Sequence, residues 1–211
     1  MLAALGERLA LGLETLGLQR DADREGLLLE YVALLRRWNQ VYNLTAVNEP
    51  EAMVDRHLLD SLAVVPFLRG TRFVDVGSGA GLPGIPLAIW LPQCHFTLLD
   101  SGGRKVRFLT QVKIALRLDN VRVVQARVEH WSEDAEFAGV LSRAFASLPD
   151  FVRRAGHLAE PRGTLYALKG AWPVPGETNL PEPFEIGACN PLAVPGEAAH
   201  RHLIEVRRAS A

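Results

Sequence analysis

The residues with the most chemical content lie in one run, Phe73-Val74-Asp75-Val76-Gly77-Ser78-Gly79-Ala80-Gly81-Leu82-Pro83-Gly84. A short β-prone stretch ends at a carboxylate, and glycines then let the chain turn sharply into a helix. Backbone N–H groups at such a helix start can take an anion or a carboxylate. Glycine there removes the side chain that would keep a ligand away from the backbone. Two cofactor readings compete. Gly79-Ala80-Gly81-Leu82-Pro83-Gly84 matches the dinucleotide pattern G-x-G-x-x-G. The other pattern is Asp75-x-Gly77-x-Gly79-x-Gly81, an acidic strand end followed by alternating glycines.

That second pattern resembles motif I of the class I methyltransferases. Their cofactor, S-adenosylmethionine, carries an ammonium and a sulfonium where a dinucleotide carries a pyrophosphate. An aspartate under a pyrophosphate would repel it, so charge favours the methyltransferase reading over a nicotinamide enzyme. Asp100 ends the next predicted strand, where a carboxylate accepts hydrogen bonds from ribose hydroxyls. It supports a nucleoside-bearing ligand without choosing between the two, and a helix N-cap is its structural alternative.

The elements that must position these groups follow from periodicity. Leu28, Tyr31, Val32, Leu35, Trp38 and Tyr42 recur at three- and four-residue intervals and predict a helix ending near Asn43. Asn48 is expected to cap a second helix running to about Leu62. Beyond Pro66 short β-rich runs alternate with helical ones, the pattern of a parallel sheet with crossover helices. Strands are expected at Arg72–Val76, His95–Asp100, Val121–Gln125, Val140–Arg143 and Thr164–Leu168. Helices are expected over Leu82–Leu91, Arg104–Leu116 and Asp150–Ala159, with Pro83 and Pro86 tolerated in a first turn. The Pro- and Gly-rich Trp172–Pro183 reads as a loop, and Phe184–Ala188 with Leu203–Arg207 as a final antiparallel pair. The expected architecture is α/β: a Rossmann-like, mostly parallel seven-stranded sheet over residues 67–211, carrying an N-terminal helical extension over 1–66.

Along nearly its whole length the chain resembles the bacterial 16S rRNA guanine-N7 methyltransferases, the glucose-inhibited division protein B family. The resemblance rests on Trp38-Asn39, Asn43-Leu44-Thr45, Arg56-His57-Leu58-Leu59-Asp60-Ser61 and the glycine run. It continues through Leu98-Leu99-Asp100-Ser101, Ser142-Arg143-Ala144-Phe145-Ala146 and Ala167-Leu168-Lys169-Gly170. It implies a class I fold, S-adenosylmethionine as cofactor, and 16S rRNA of the small ribosomal subunit as partner. By the same resemblance Gly77 and Leu82 line the cofactor pocket, to which the glycine run and strand end already assign Asp75, Gly79, Gly81 and Asp100. Val128 and Glu129 flank the adenosine, and Arg143 sits beside the methyl donor as the candidate catalytic group.

The chemistry of the residues fits that acceptor. Methyl transfer from a sulfonium is an in-line displacement, so placement supplies much of the catalysis. The loop after the fourth strand carries neither the Asn/Asp-Pro-Pro-aromatic run of adenine amine methylation nor the cysteine of pyrimidine carbon methylation. Guanine N7 needs neither, having a lone pair and no proton to lose; an oxygen acceptor such as a ribose hydroxyl stays open. Arg143 could donate to guanine O6 or hold a phosphate, with a surface ion pair as the lesser alternative. Phe145 could stack on a base, though core packing is the preferred reading. Lys169 could equally meet a phosphate or be solvated. His57 and Asp60, at i and i+3, could close over the cofactor or the RNA, with a structural pair anchoring the helix to the sheet as the preferred reading. Arg104, Lys105 and Arg107 could reach phosphates, with a solvated helix face as the preferred reading.

The 48% hydrophobic and 22% charged composition is that of a globular domain. Glu7, Arg8 and Glu14 break up the first apolar run, so neither signal peptide nor membrane span is expected. Two cysteines without metal-ligand spacing point to a cytoplasmic protein with no metal. A formal net charge of −1 argues against holding naked RNA by charge alone. A monomer acting on a structured particle is the expectation.

Overall fold

Asp21 opens the longest helix by accepting from the N–H groups of Asp23 and Arg24, so α2 (Ala22–Tyr42) begins well before Leu28. The computed structural model describes residues 2–133, 136–143, 145, 147–170, 172, 174, 176–197 and 199–209. Ahead of α2, α1 (Leu2–Thr15) buries Leu5, Leu9 and Leu13 along one stripe. The third helical stretch differs from expectation. Glu49 is its N-cap and makes no capping bond, while Asn48 accepts from the Asn39 side chain at 2.9 Å. Pro50 then starts α3 (Pro50–Met53), which runs through a π-helical segment (Val54–Leu59) into α4 (Asp60–Leu62).

β1 (Arg72–Val76), β2 (His95–Asp100) and β3 (Val121–Gln125) lie where the sequence puts them. β4 (Phe137–Ser142) starts earlier than expected and stops before Arg143, which therefore sits on the loop beyond it. β5 (Ala159–Lys169) is also longer. Pro161 and Gly163 look like breakers, yet the sheet absorbs them in a register shift between the β4 positions Phe137 and Gly139. β6 (Phe184–Leu192) and β7 (Arg201–Arg208) pair antiparallel. The sheet order is β3-β2-β1-β4-β5-β7-β6, and β3 through β5 are parallel. The expected α/β fold, a mostly parallel seven-stranded sheet, is the one observed. Strand order reverses between β1 and β4, which opens a crevice at the carboxyl ends of these strands.

α5 (Gly84–Trp90) has Pro83 as its N-cap, and α6 (Gly103–Ala115) follows β2. α7 (Leu148–Ala155) starts earlier than expected because the Ser147 hydroxyl caps it, accepting from the Asp150 N–H. Pro173 and Pro175 of the expected loop, and Ala144 and Ala146 after β4, lie outside the described residues.

One apolar cluster joins Leu9, Leu13, Tyr31 and Leu35 of the N-terminal helices to Ile85 of α5, Phe108 of α6, and Phe73 and Leu98 of the sheet. The opposite face packs Val74, Val76, Val140 and Leu165 against Phe151 and Val152 of α7. The N-terminal helices and the sheet thus share one core.

Candidate active site

Side chains alternate along a strand. In β1, Val74 and Val76 therefore face α7, while Phe73 and Asp75 face the α5 side. Asp75 is fully buried, and its Oδ2 accepts from the Gly84 N–H at 3.0 Å. Among the described residues its Oδ1 has no hydrogen-bond partner. Burial pushes the carboxyl up to about 7, against the opposing pull of the Gly84 N–H. The glycines around it answer to packing. Gly81 has φ +92°, and a Cβ there would lie 2.5 Å from Ile85 Cγ1. A Cβ on Gly84 would lie 2.3 Å from Leu98 Cδ2 and 2.8 Å from Asp75 Oδ2. At these two positions a neighbouring element, and not an approaching ligand, excludes the side chain.

Asp100 closes the loop from the other side. Its Oδ1 accepts from the Gly102 N–H at 2.8 Å and its Oδ2 from the Gly79 N–H at 2.9 Å, with Lys105 Nζ 3.5 Å away. Gly102 is the N-cap of α6, so the cap alternative for Asp100 does not hold. Oδ1 retains a lone pair for a further donor, while Oδ2 already faces both the Gly79 N–H and Lys105 Nζ. Tyr31 of α2 donates its buried hydroxyl to the Ala80 carbonyl at 2.7 Å, tying the N-terminal layer to the same loop.

A cleft of about 240 Å³ opens at the ends of β1, β2 and β3. Gly77, Asp100, Val128, Glu129 and Phe145 line it, as do Lys105, Ala126, Arg127 and Arg154. Asp75, Gly79, Gly81 and Leu82 lie behind this wall: Asp75 and Leu82 are buried, and the N–H of Gly79 faces Asp100. Glu129 pairs with Arg154 across the rim at 2.8 Å. Phe145 is half-buried and packs on Phe151, ring centroids 5.3 Å apart, so core contact and cleft contact coexist. Lys169 is not solvated. Its Nζ pairs with the buried Glu177 at 2.9 Å and lies 3.4 Å from the Phe145 carbonyl. Glu177 also accepts from the Leu148 N–H at 3.0 Å, so one carboxylate holds the start of α7 and, through Lys169, the Phe145 carbonyl.

His57 and Asp60 do not form the expected pair. The π-helical turn sends them to different partners, with His57 Nε2 2.9 Å from Thr45 Oγ1. Burial lowers His57 to about 4, so its ring is neutral near pH 7. Asp60 Oδ2 lies 3.2 Å from Arg143 Nη1, and Asp60 Oδ1 accepts from Arg201 Nε at 3.0 Å. Burial raises the Asp60 carboxyl while both guanidiniums draw it down.

Some lining residues escaped the sequence reading. Ala126 and Arg127 follow β3, and the rule that ligands sit at carboxyl ends of strands could have found them. Arg154 comes from the last turn of α7, and Arg201 and Glu177, the partners of Asp60 and Lys169, come from the C-terminal third. No local spacing marks those three. Among the described residues no three His, Cys, Asp or Glu side chains converge as a metal site, and no helix is long and apolar enough to cross a membrane.

Comparison with known proteins gives this geometry a context. The family model described as rRNA small subunit methyltransferase G matches residues 24–204. The Ribosomal RNA small subunit methyltransferase G of Stutzerimonas stutzeri is 52% identical over 206 residues, covering 97% of this chain and 96% of its own. That of Pseudomonas aeruginosa is 50% identical over 203 residues, 96% and 95% of the two chains. Among solved structures, a SAM-dependent methyltransferase from Aquifex aeolicus superposes with a TM-score of 0.58 at 14% identity, over 78% of this chain and 96% of that one. The glycopeptide N-methyltransferase MtfA, complexed with S-adenosyl-L-homocysteine, does so at 0.58 and 12% identity, over 72% and 87%. These two share the fold.

Proposed function

The chain belongs to the rRNA small subunit methyltransferase G family, and from that premise we propose that it transfers a methyl group from S-adenosylmethionine to N7 of a guanine in 16S rRNA. The observation that carries the cofactor reading is the pair of carboxylates bonded into the glycine loop. Asp75 and Asp100 occupy the N–H groups of Gly84 and Gly79. A pyrophosphate would need those donors and would meet carboxyl oxygens, themselves acceptors, in their place. The unpartnered Asp75 Oδ1 suits an ammonium group, and the spare lone pair of Asp100 Oδ1 suits a ribose hydroxyl. The residues present therefore fit S-adenosylmethionine.

When bound, S-adenosylmethionine supplies a methyl group on a positively charged sulfur. Asp100 holds the ribose end, Val128 and Glu129 flank the base, and Gly77 forms the floor between them. On the acceptor side Arg143 offers guanidinium donors of the kind that read guanine O6, which orients the neighbouring N7. Phe145 presents an aromatic edge backed by Phe151. Lys169 acts one step back, through the Phe145 carbonyl and Glu177. No side chain need remove a proton, because N7 attacks through a free lone pair. His57, the residue type that most often serves as a base, is buried, neutral and turned to Thr45.

The same reading makes the enzyme a cytoplasmic monomer acting on the small subunit. In support, the large apolar side chains exposed among the described residues are Leu11, Val41, Tyr42 and Ile114, on three different helices or their ends. The test is nucleoside analysis of 16S rRNA from cells with and without this gene. One 7-methylguanosine per 16S molecule should vanish with the gene. Loss of a different methylated nucleoside, or of none, would contradict the proposed acceptor.

A further inference from the structure

We propose that Asp60 is a positioning residue for methyl transfer, a buried carboxylate shared between Arg143 and Arg201 that holds the Arg143 guanidinium at the acceptor face of the cleft. The inference rests on the reading of Arg143 given above. Asp60 is 2% exposed and follows the π-helical segment, whose wider turn directs the side chains beyond it. Its two oxygens face different guanidiniums: Oδ1 takes Arg201 Nε at 3.0 Å and Oδ2 lies 3.2 Å from Arg143 Nη1. Arg201 has a second acid, Glu197 at 3.4 Å, which also pairs with Arg56 at 2.8 Å. Among the described residues the ion pair of Arg143 is with Asp60, an ionic contact in which the buried Nη1 makes no hydrogen bond.

The chain of charges therefore alternates from the surface inward: Arg56, Glu197, Arg201, Asp60, Arg143. Three cations and two anions leave one positive charge over, and Arg143 ends the chain. It lies on the loop just beyond β4, close to the Phe145 that lines the cleft. Its charge also reaches Asp75, whose carboxyl it draws down. The anchor is rigid on its far side. The loop between β6 and β7 packs so closely on the π-helical segment that a Cβ on Gly196 would lie 2.5 Å from Asp55 Oδ2. Asp55 is itself held by Arg8, with Nε 2.7 Å from Oδ1. A guanidinium held from one side keeps its other donors aimed at the acceptor, and misplacing such a group by about 1 Å can cost about a hundredfold in rate.

The test is a double-mutant cycle with Asp60→Asn, Arg143→Ala and the double variant, assayed on small ribosomal subunits lacking the modification. Asp60→Asn should lower kcat about tenfold to a hundredfold and change the KM for S-adenosylmethionine less than about threefold. In the Arg143→Ala background the same change should cost less than about twofold more. Independent losses that multiply, or a wild-type kcat in Asp60→Asn, would overturn the proposal. A second readout does not need activity: guanidinium ¹⁵N NMR of the whole protein. Restricted rotation of Arg143 in the wild type should become free in Asp60→Asn, while thermal unfolding checks that the fold persists. An Arg143 guanidinium that rotates freely in the wild type would refute the clamp. Absence of methyl transfer by the wild type would instead refute the proposed function, leaving the clamp to the NMR result.

Discussion

A fully buried carboxyl group with one oxygen unpaired is costly for a fold to keep. Asp75 meets that cost by holding its proton: its ordinary value of 3.8 rises to about 7 in the folded chain. The sign follows from linkage. A raised acid favours the folded state while protonated, so its contribution is complete below about 3.8 and is lost as pH rises through about 7. Asp75→Asn removes the titration and keeps an acceptor for Gly84. Thermal unfolding of both proteins across this window should show the variant gaining on the wild type as pH rises, with the difference levelling above about pH 7. A constant difference would contradict the assignment. If Asp75 takes an ammonium group, binding also favours its ionised form. Calorimetry near pH 6 should then show proton release on binding S-adenosylhomocysteine, and none in Asp75→Asn. His57 works in the opposite sense: lowered to about 4, it costs stability as pH falls below its ordinary 6.5.

At the scale of elements, the N-terminal helices are tied to the glycine loop by the bond from Tyr31 to the Ala80 carbonyl. Tyr31→Phe removes one buried hydroxyl and leaves the Ala80 carbonyl short of its donor, a loss of about 1–3 kcal/mol. Affinity for S-adenosylhomocysteine should fall severalfold by calorimetry; unchanged affinity would show that α2 does not set the loop. Leu9→Ala, at a fully buried position in α1, should cost about 2–5 kcal/mol in denaturant unfolding. Elements governed by local patterning were legible in the sequence. β1, β2 and β3 are short runs bounded by turn residues, and their ends follow from those residues. β5 was legible only in part, because Pro161 and Gly163 imitate a turn where the sheet tolerates a register shift. The π-helical segment leaves no compositional trace. It redirected His57 and Asp60 away from the pairing that α-helical spacing implies. Gly77, Asp100, Val128, Glu129 and Phe145 were found from the motif run and the family resemblance. The partners of Asp60 and Lys169 were not, because Arg143, Arg201 and Glu177 meet them only through tertiary folding.

At the scale of the molecule, the cleft carries its positive charge locally, in Lys105, Arg127 and Arg154 with Arg143 behind them, on a chain of net charge −1. Such a surface gives little sequence-independent grip on RNA. Methyl transfer should therefore be faster on assembled small subunits lacking the modification than on bare 16S rRNA, with the gap widening as salt increases. Equal rates on both would show that RNA alone holds the determinants. Because the helical layer and the sheet share one apolar cluster, unfolding should also be a single transition in which the N-terminal helices and the sheet are lost together. The most direct measurement is transfer of labelled methyl from S-adenosylmethionine to purified small subunits, followed by nucleoside analysis of their 16S rRNA. The account predicts label in 7-methylguanosine and nowhere else. Label in another nucleoside, or none despite calorimetric binding of the cofactor, would contradict it.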